Sequence, residues 1–113
     1  IVEMVRNAGA AEVHMRISSP PTMYSCFYGI DTPSKEELLA GRYDVACMAE
    51  HIKVDSLAFI SIDGLYRAAG MPGRNNDAPQ FCDACFSGEY PISLTDREAD
   101  TTPNLLTLLK EQA

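Results

Sequence analysis

Basic residues are scarce in this chain of 113 residues, and their scarcity argues against one broad class of function. Nine Lys and Arg stand against sixteen Asp and Glu, which gives a formal net charge of -7. The basic residues are scattered along the sequence and form no patch. Because such a surface repels phosphate groups, we expect no nucleic acid partner.

Long apolar runs are missing as well. No stretch approaches the ~20 apolar residues that a membrane-spanning helix requires, and the chain does not open with the charged and apolar regions of a signal peptide. We therefore expect no membrane partner and a cytoplasmic location. The sequence also lacks a glycine-rich phosphate loop, a zinc-protease helix and a serine nucleophile elbow. We accordingly predict no catalytic residue in this chain and leave its substrate-binding residues unknown.

An apolar content of 46% over 113 residues suffices for one compact domain or a large piece of one. The sequence begins at Ile1, without Met, directly in an amphipathic pattern. We therefore expect a fragment of a larger polypeptide.

The apolar pattern predicts an α/β architecture. Residues 1–8 have helical spacing and are followed by Gly9, residues 13–17 alternate as in a half-buried strand, and residues 57–60 form the apolar run of a strand covered on both faces. Between the strands the pattern predicts two short helices, and a further helix follows the second strand. Since two strands are too few for an ordinary sheet, we expect the rest of the sheet upstream of Ile1.

Capping residues predict where the helices begin. Ser34 and Glu37 have the spacing of a capping box before a short helix that ends at Gly41, and Asp44 and Ser61 are predicted to cap the next two helices. Residues 71–80 have no periodicity and predict a loop. A last helix is predicted after Pro103, with a leucine stripe that we expect to dock on a surface outside this chain.

Three cysteines carry the strongest functional signal. Cys82 and Cys85 form a Cys-x-x-Cys pair, and Cys26 is a distant third thiol. This pattern indicates a metal or iron-sulfur site more readily than a disulfide, but it needs a fourth ligand. One alternative is a small zinc-binding structural or interaction module that uses His14 or His51 as that ligand. A second alternative is a structural or regulatory domain with idle thiols.

Cys47 and His51 are four residues apart on the polar side of a predicted helix, so both could reach one metal ion. We interpret them as solvated residues without a ligand role.

Four strings identify a family resemblance. Residues 12–21 (EVHMRISSPP), 26–33 (CFYGIDTP), 55–61 (DSLAFIS) and 82–91 (CDACFSGEYP) resemble, in order and with comparable gaps, the C-terminal part of glutamine amidophosphoribosyltransferase. The resemblance implies a mostly parallel sheet of the type I phosphoribosyltransferase fold, incomplete in this fragment. Residues 1–92 would be the C-terminal part of the phosphoribosyltransferase domain, and residues 93–113 a polar tail with a C-terminal helix.

The resemblance also implies an activity for the parent enzyme. Members of the family transfer ammonia from glutamine to phosphoribosyl pyrophosphate (PRPP) and so make 5-phosphoribosylamine, the first committed step of de novo purine biosynthesis. The N-terminal glutaminase domain, the loop that binds PRPP with magnesium and the partner subunits of a homo-oligomer would lie outside this chain. The fragment alone would be inactive.

The resemblance assigns a role to the cysteines. One subgroup of the family carries a 4Fe-4S cluster, and its cysteine positions correspond to Cys26, Cys82 and Cys85. The fourth cluster ligand would lie upstream of Ile1. We interpret the cluster as a structural clasp that closes the large loop between these cysteines.

Overall fold

The computed structural model describes residues 1–94, and the predicted final helix lies outside the described residues. Two parallel strands, β1 (His14–Ile17) and β2 (Ser56–Phe59), form the sheet of this part of the chain. His14 pairs with Ser56, and the register runs in step to Ile17 and Phe59. The predicted α/β class and both predicted strands are therefore confirmed.

Helix α1 (Val2–Asn7) precedes the sheet and ends before Gly9, whose φ of 99° is readily available only to glycine. Arg6, in the last turn, donates to the carbonyl oxygen of Lys53 at 2.9 Å and to the carboxylate of Asp55 at 2.7 Å. The Asp55 carboxylate also accepts from the amide of Val13 at 2.7 Å. These contacts attach α1 to the residues that come just before β1 and β2.

Helices α2 (Leu39–Arg42) and α3 (Val45–Ile52) connect the two strands. Asp44 caps α3 as predicted, because its carboxylate accepts from the amide of Cys47 at 2.8 Å. The predicted end of α2 at Gly41 is wrong. Gly41 lies within the helix, where a Cβ would come within 2.4 Å of the Lys35 carbonyl oxygen, so this position requires close approach of the backbone.

Two helices follow the sheet. Ser61 caps α4 (Ile62–Ala68) as predicted, with its hydroxyl accepting from the amide of Gly64 at 3.0 Å. Residues 71–80 contain no helix or strand, also as predicted. The sequence did not predict α5 (Ala84–Ser87), a single turn that begins inside the Cys-x-x-Cys pair and ends at Gly88.

The core of the described residues is small. Met48 of α3, Tyr66 of α4 and Ala84 of α5 are buried, whereas Ala58 of β2 is exposed. The prediction that the second strand is covered on both faces is therefore wrong for residues 1–94. None of the helices in this range has the length and apolar composition that a bilayer crossing requires.

Candidate metal centre

The three predicted ligands lie around one cavity. Cys26, Cys82 and Cys85 all line a cavity of about 460 Å³. Its other walls are mostly apolar and include Ile30, Phe86, Tyr28 and Tyr90. Residues separated by more than 50 positions in the sequence are thus brought to the same place by the fold.

Backbone hydrogen bonds hold the two cysteine-bearing segments together. The carbonyl oxygen of Cys85 accepts from the amides of Met23 at 3.0 Å and Tyr24 at 3.1 Å. Gly88, at the end of α5, lies against the Tyr24 ring so closely that a Cβ would come within 2.8 Å of Tyr24 Cζ. The segment of Met23 and Tyr24, which leads into Cys26, is therefore in direct contact with α5, the helix that carries Cys85.

Aromatic side chains make a second connection between the same segments. The hydroxyl of Tyr90 donates to the carbonyl oxygen of Ser25 at 2.7 Å. The Tyr90 ring also packs against Phe27 and Tyr28, with ring centroids 5.3 Å and 6.0 Å away. The hydroxyl of Tyr28 in turn donates to the carbonyl oxygen of Ile92 at 2.9 Å. Two residues that line the cavity, Tyr28 and Tyr90, thus connect the segment around Cys26 to the residues that follow Cys85.

The loop that contains Cys26 is folded back on itself. The Cys26 amide donates to the Thr32 hydroxyl at 2.8 Å, and the Tyr28 amide donates to Cys26 Sγ at 3.4 Å. Gly29, in the bend, has a φ of 106°. An amide directed at sulfur stabilises a thiolate, and hydrogen bonds of this kind tune metal-thiolate sites.

The thiols influence one another electrostatically. Burial raises the pKa of the Cys85 thiol, and the charges of Cys26 and Cys82 raise it further. A cation in the cavity would reverse this effect because it stabilises thiolates. Among residues 1–94, however, no group of three or more His, Cys, Asp or Glu side chains is close enough to bind a single metal ion.

A buried polar network adjoins the Cys-x-x-Cys pair, and sequence reasoning missed it. Asp83 is 4% exposed, and its carboxylate accepts four hydrogen bonds. Arg74 donates two of them, from Nε at 2.5 Å and Nη2 at 3.2 Å, while the hydroxyls of Tyr66 and Ser87 donate at 2.9 Å and 2.8 Å. Arg74 also donates to the exposed carboxylate of Glu89 at 2.5 Å.

The charges of this network are stabilised by their partners. Burial acts to raise the pKa of Asp83, but the hydrogen bonds from Arg74, Ser87 and Tyr66 outweigh it and lower the pKa below the usual value. The hydrogen bonds to Asp83 and Glu89 raise the pKa of Arg74. Asp83 is thus a carboxylate and Arg74 a cation at neutral pH. A charged residue between two cysteines was visible in the sequence, but its burial and its partner were not.

The histidines that could have completed a zinc site lie elsewhere. Neither His14 nor His51 lines the cysteine cavity. The ring nitrogens of His14 contact the Ser56 hydroxyl at 2.8 Å and the Glu12 carboxylate at 3.0 Å, and the ring of His51 stacks on Tyr43. Within residues 1–94 the fold therefore gives no support to a histidine as fourth ligand of a zinc module.

Cys47 and His51 are both exposed on α3, as the helical pattern predicted. A hydrogen bond with Asp44 and the charge of that carboxylate raise the pKa of the Cys47 thiol. This environment disfavours the thiolate form that a metal needs.

Known proteins resemble this chain over most of its length. It is 52% identical over 110 residues to the amidophosphoribosyltransferase of Rhizobium etli, a match that covers 96% of this chain and 22% of the relative. It is 51% identical over 96 residues to the chloroplastic amidophosphoribosyltransferase 1 of Arabidopsis thaliana, covering 85% of this chain and 16% of the relative. No protein-family model matches the chain.

A solved structure has the same fold. The glutamine PRPP amidotransferase of Bacillus subtilis, complexed with ADP and GMP, superposes with a TM-score of 0.72 and 46% sequence identity. The superposition covers 82% of this chain and 20% of that protein. The parallel α/β arrangement described above therefore matches the phosphoribosyltransferase-like fold of that structure. The chain is a homologue of the amidophosphoribosyltransferases, with a sequence identity of about 50%. It spans about a fifth of their length.

Proposed function

We propose that this chain is the C-terminal part of the phosphoribosyltransferase domain of a glutamine amidophosphoribosyltransferase. The parent enzyme would transfer ammonia from glutamine to PRPP, releasing pyrophosphate and forming 5-phosphoribosylamine for purine biosynthesis. The observation that carries this proposal is 52% identity to an amidophosphoribosyltransferase across 110 residues, joined to a superposition with a TM-score of 0.72.

The chain would contribute structure to that enzyme, and its catalytic groups would lie elsewhere. We place the glutaminase domain, the PRPP loop with its magnesium ion and the homo-oligomeric contacts in other parts of the parent. The small core of residues 1–94 supports this dependence, since a buried Met48, Tyr66 and Ala84 give little apolar burial. We also propose a cytoplasmic location, although the Arabidopsis relative is named as chloroplastic.

We further propose that Cys26, Cys82 and Cys85 supply three ligands of a 4Fe-4S cluster, with the fourth from a segment upstream. The convergence of three thiols on one cavity with mostly apolar walls supports this proposal, because thiolates are the ligands of iron-sulfur clusters. A tetrahedral zinc ion needs its thiolate sulfurs about 2.3 Å from a common centre. A cluster spreads its ligands over separate iron atoms, which agrees better with thiols that share a cavity but no single-ion site.

The cluster, when bound, would act as a crosslink and would take no part in the transfer reaction. The residues of this chain would hold the cysteine-bearing segments in place around the cluster. Tyr90 and the carbonyl oxygen of Cys85 bring the two cysteine-bearing segments together, and mostly apolar side chains surround the thiols in the cavity.

The activity is tested by assaying the full-length parent for pyrophosphate release from PRPP with glutamine as nitrogen donor. We expect release that requires both substrates, and no release from residues 1–113 alone. A parent that is folded and inert toward PRPP would contradict the proposed activity.

The cluster is tested by elemental analysis of the parent purified without oxygen. We expect four iron and four sulfide per chain, following the stoichiometry of the cluster, with broad visible absorption. One zinc per chain, with stability lost to a chelator, would instead support the zinc module. No metal and full stability in chelator would support the domain with idle thiols.

A further inference from the structure

Cys82 differs from Cys85 in how its backbone is supported. Cys85 lies in α5, and its carbonyl oxygen accepts from two amides of the opposite segment. Cys82 precedes the helix, and its residue is exposed to solvent. Side-chain contacts in this part of the chain are made by its two neighbours, Phe81 and Asp83.

Both neighbours of Cys82 have an acceptor oxygen within hydrogen-bond distance of the same hydroxyl, whose single proton is shared between them. The hydroxyl of Tyr66 lies 3.0 Å from the carbonyl oxygen of Phe81 and 2.9 Å from the carboxylate of Asp83. Arg74 then fixes Asp83 from the other side through two N–H groups, one to each carboxylate oxygen. Phe81 and Asp83 thus bracket Cys82.

We propose that Tyr66, Arg74 and Asp83 are positioning residues that hold Cys82 in place to ligate the cluster. This inference rests on the proposed function of the cysteines. It assigns to this buried network a role beyond stability.

The energetics of buried ion pairs favour such a role. An apolar pair of similar volume is often as stabilising as a buried ion pair, so stability alone does not account for burying Arg74 and Asp83. The ion pair adds direction, because the planar guanidinium and the carboxylate fix each other's orientation. Polar partners behind metal ligands commonly orient them, and their loss typically costs about 10- to 100-fold in metal affinity.

The test is made on the full-length parent, loaded with its cluster without oxygen. Asp83→Asn keeps the size of the side chain but removes the charge that Arg74 binds. We expect the cluster to be lost to an iron chelator faster than in the unsubstituted protein, in keeping with a loss of metal affinity of about 10- to 100-fold. We also expect the electron paramagnetic resonance spectrum of the reduced cluster to change, because the geometry at one ligand changes.

Glu89→Gln is the matched control. Glu89 contacts the same guanidinium, but it is 63% exposed and makes no hydrogen bond to Asp83 in residues 1–94. We expect this variant to lose its cluster at the unsubstituted rate and to keep the unsubstituted spectrum. Should Asp83→Asn fail to fold, Tyr66→Phe removes a single oxygen from the same bracket, and we expect it to lose the cluster faster too.

The outcomes separate the two proposals. An unsubstituted parent that binds no iron overturns the proposed cluster. A parent that binds the cluster, with Asp83→Asn and Tyr66→Phe folded and unchanged in both release rate and spectrum, overturns the positioning role alone. A lower melting temperature with an unchanged spectrum and release rate also overturns it, because a purely structural network predicts that result.

Discussion

The hydroxyl of Tyr90 donates a hydrogen bond of 2.7 Å to the carbonyl oxygen of Ser25. The residue just before Cys26 is thereby joined to a residue five positions after Cys85. This contact connects the two cysteine-bearing segments directly.

Removing that hydroxyl should loosen the cavity. We expect Tyr90→Phe to lower the free energy of unfolding by about 0.5–1.5 kcal/mol, because the Ser25 carbonyl loses a short hydrogen bond while the ring is retained. Urea unfolding of the parent measures the change. Tyr43→Phe is the control, since the Tyr43 hydroxyl receives a longer contact of 3.5 Å from Arg42. Equal effects from both variants would contradict the importance of the Tyr90 contact.

Gly88 should tolerate a methyl group less well than Gly70. Both have positive φ, 78° and 88°, so alanine at either position should cost roughly 1–2 kcal/mol from the backbone alone. At Gly88 the new Cβ would also meet the Tyr24 ring, whereas at Gly70 it would meet nothing within 4 Å. We therefore expect a larger loss of stability in urea, and lower iron content, for Gly88→Ala than for Gly70→Ala. The same cost at both sites would show that the Tyr24 ring moves aside freely.

Protonation of Asp55 should lower the stability of the protein at acid pH. The hydrogen bond from the Val13 amide, followed by that from Arg6, lowers the pKa of Asp55 below its usual 3.8. The unfolded chain therefore binds the proton more tightly, so this stabilisation is complete above the unfolded pKa and is lost as pH falls through the lower folded pKa. We expect the free energy of unfolding to fall less between about pH 5 and pH 3 in Asp55→Asn than in the unsubstituted protein. Parallel pH profiles would contradict this assignment.

Substitution of Cys26 and of Cys47 should have different effects on the iron content of the parent. We expect Cys26→Ser to lower the iron content of the anaerobically purified parent and to weaken its visible absorption. Cys47→Ser should change neither, because Cys47 lies exposed on α3 and does not line the cavity. An equal loss of iron in both variants would argue against the proposed ligand set.

If the cluster is a structural clasp, exposure to oxygen should decrease the visible absorption and the stability of the parent together. Exposure of the loaded parent to air should bleach its visible absorption and lower its melting temperature over the same time course, since the crosslink between Cys26 and the Cys82/Cys85 pair is lost. Stability that is unchanged after complete bleaching would refute the clasp.

Local chemistry explains which parts of this fold could be predicted from the sequence. Asp44 and Ser61 cap their helices because a side-chain oxygen a few positions away reaches an amide, which is a relationship within one turn. Alternation at residues 13–17 similarly identified β1. Gly41 misled the prediction because its role depends on contact with Lys35, and α5 was too short for any periodicity to appear.

In the candidate site, too, some residues could be predicted from the sequence and others could not. Cys26, Cys82 and Cys85 could be selected from their spacing and from a family resemblance, and they do line one cavity. Arg74 lies in a loop without any periodic pattern, and only the folded chain shows it packed against Asp83 with 8% of its side chain exposed. Tertiary pairing of this kind leaves no local pattern in a single sequence.

The two-stranded sheet has a practical consequence. In residues 1–94, β1 and β2 pair with each other and with no third strand, so each has an outer edge that presents amide and carbonyl groups. Such edges recruit strands from other copies of a protein and nucleate aggregation. Overproduction of this segment by itself should accordingly favour insoluble inclusion bodies, and turbidity should increase with protein concentration.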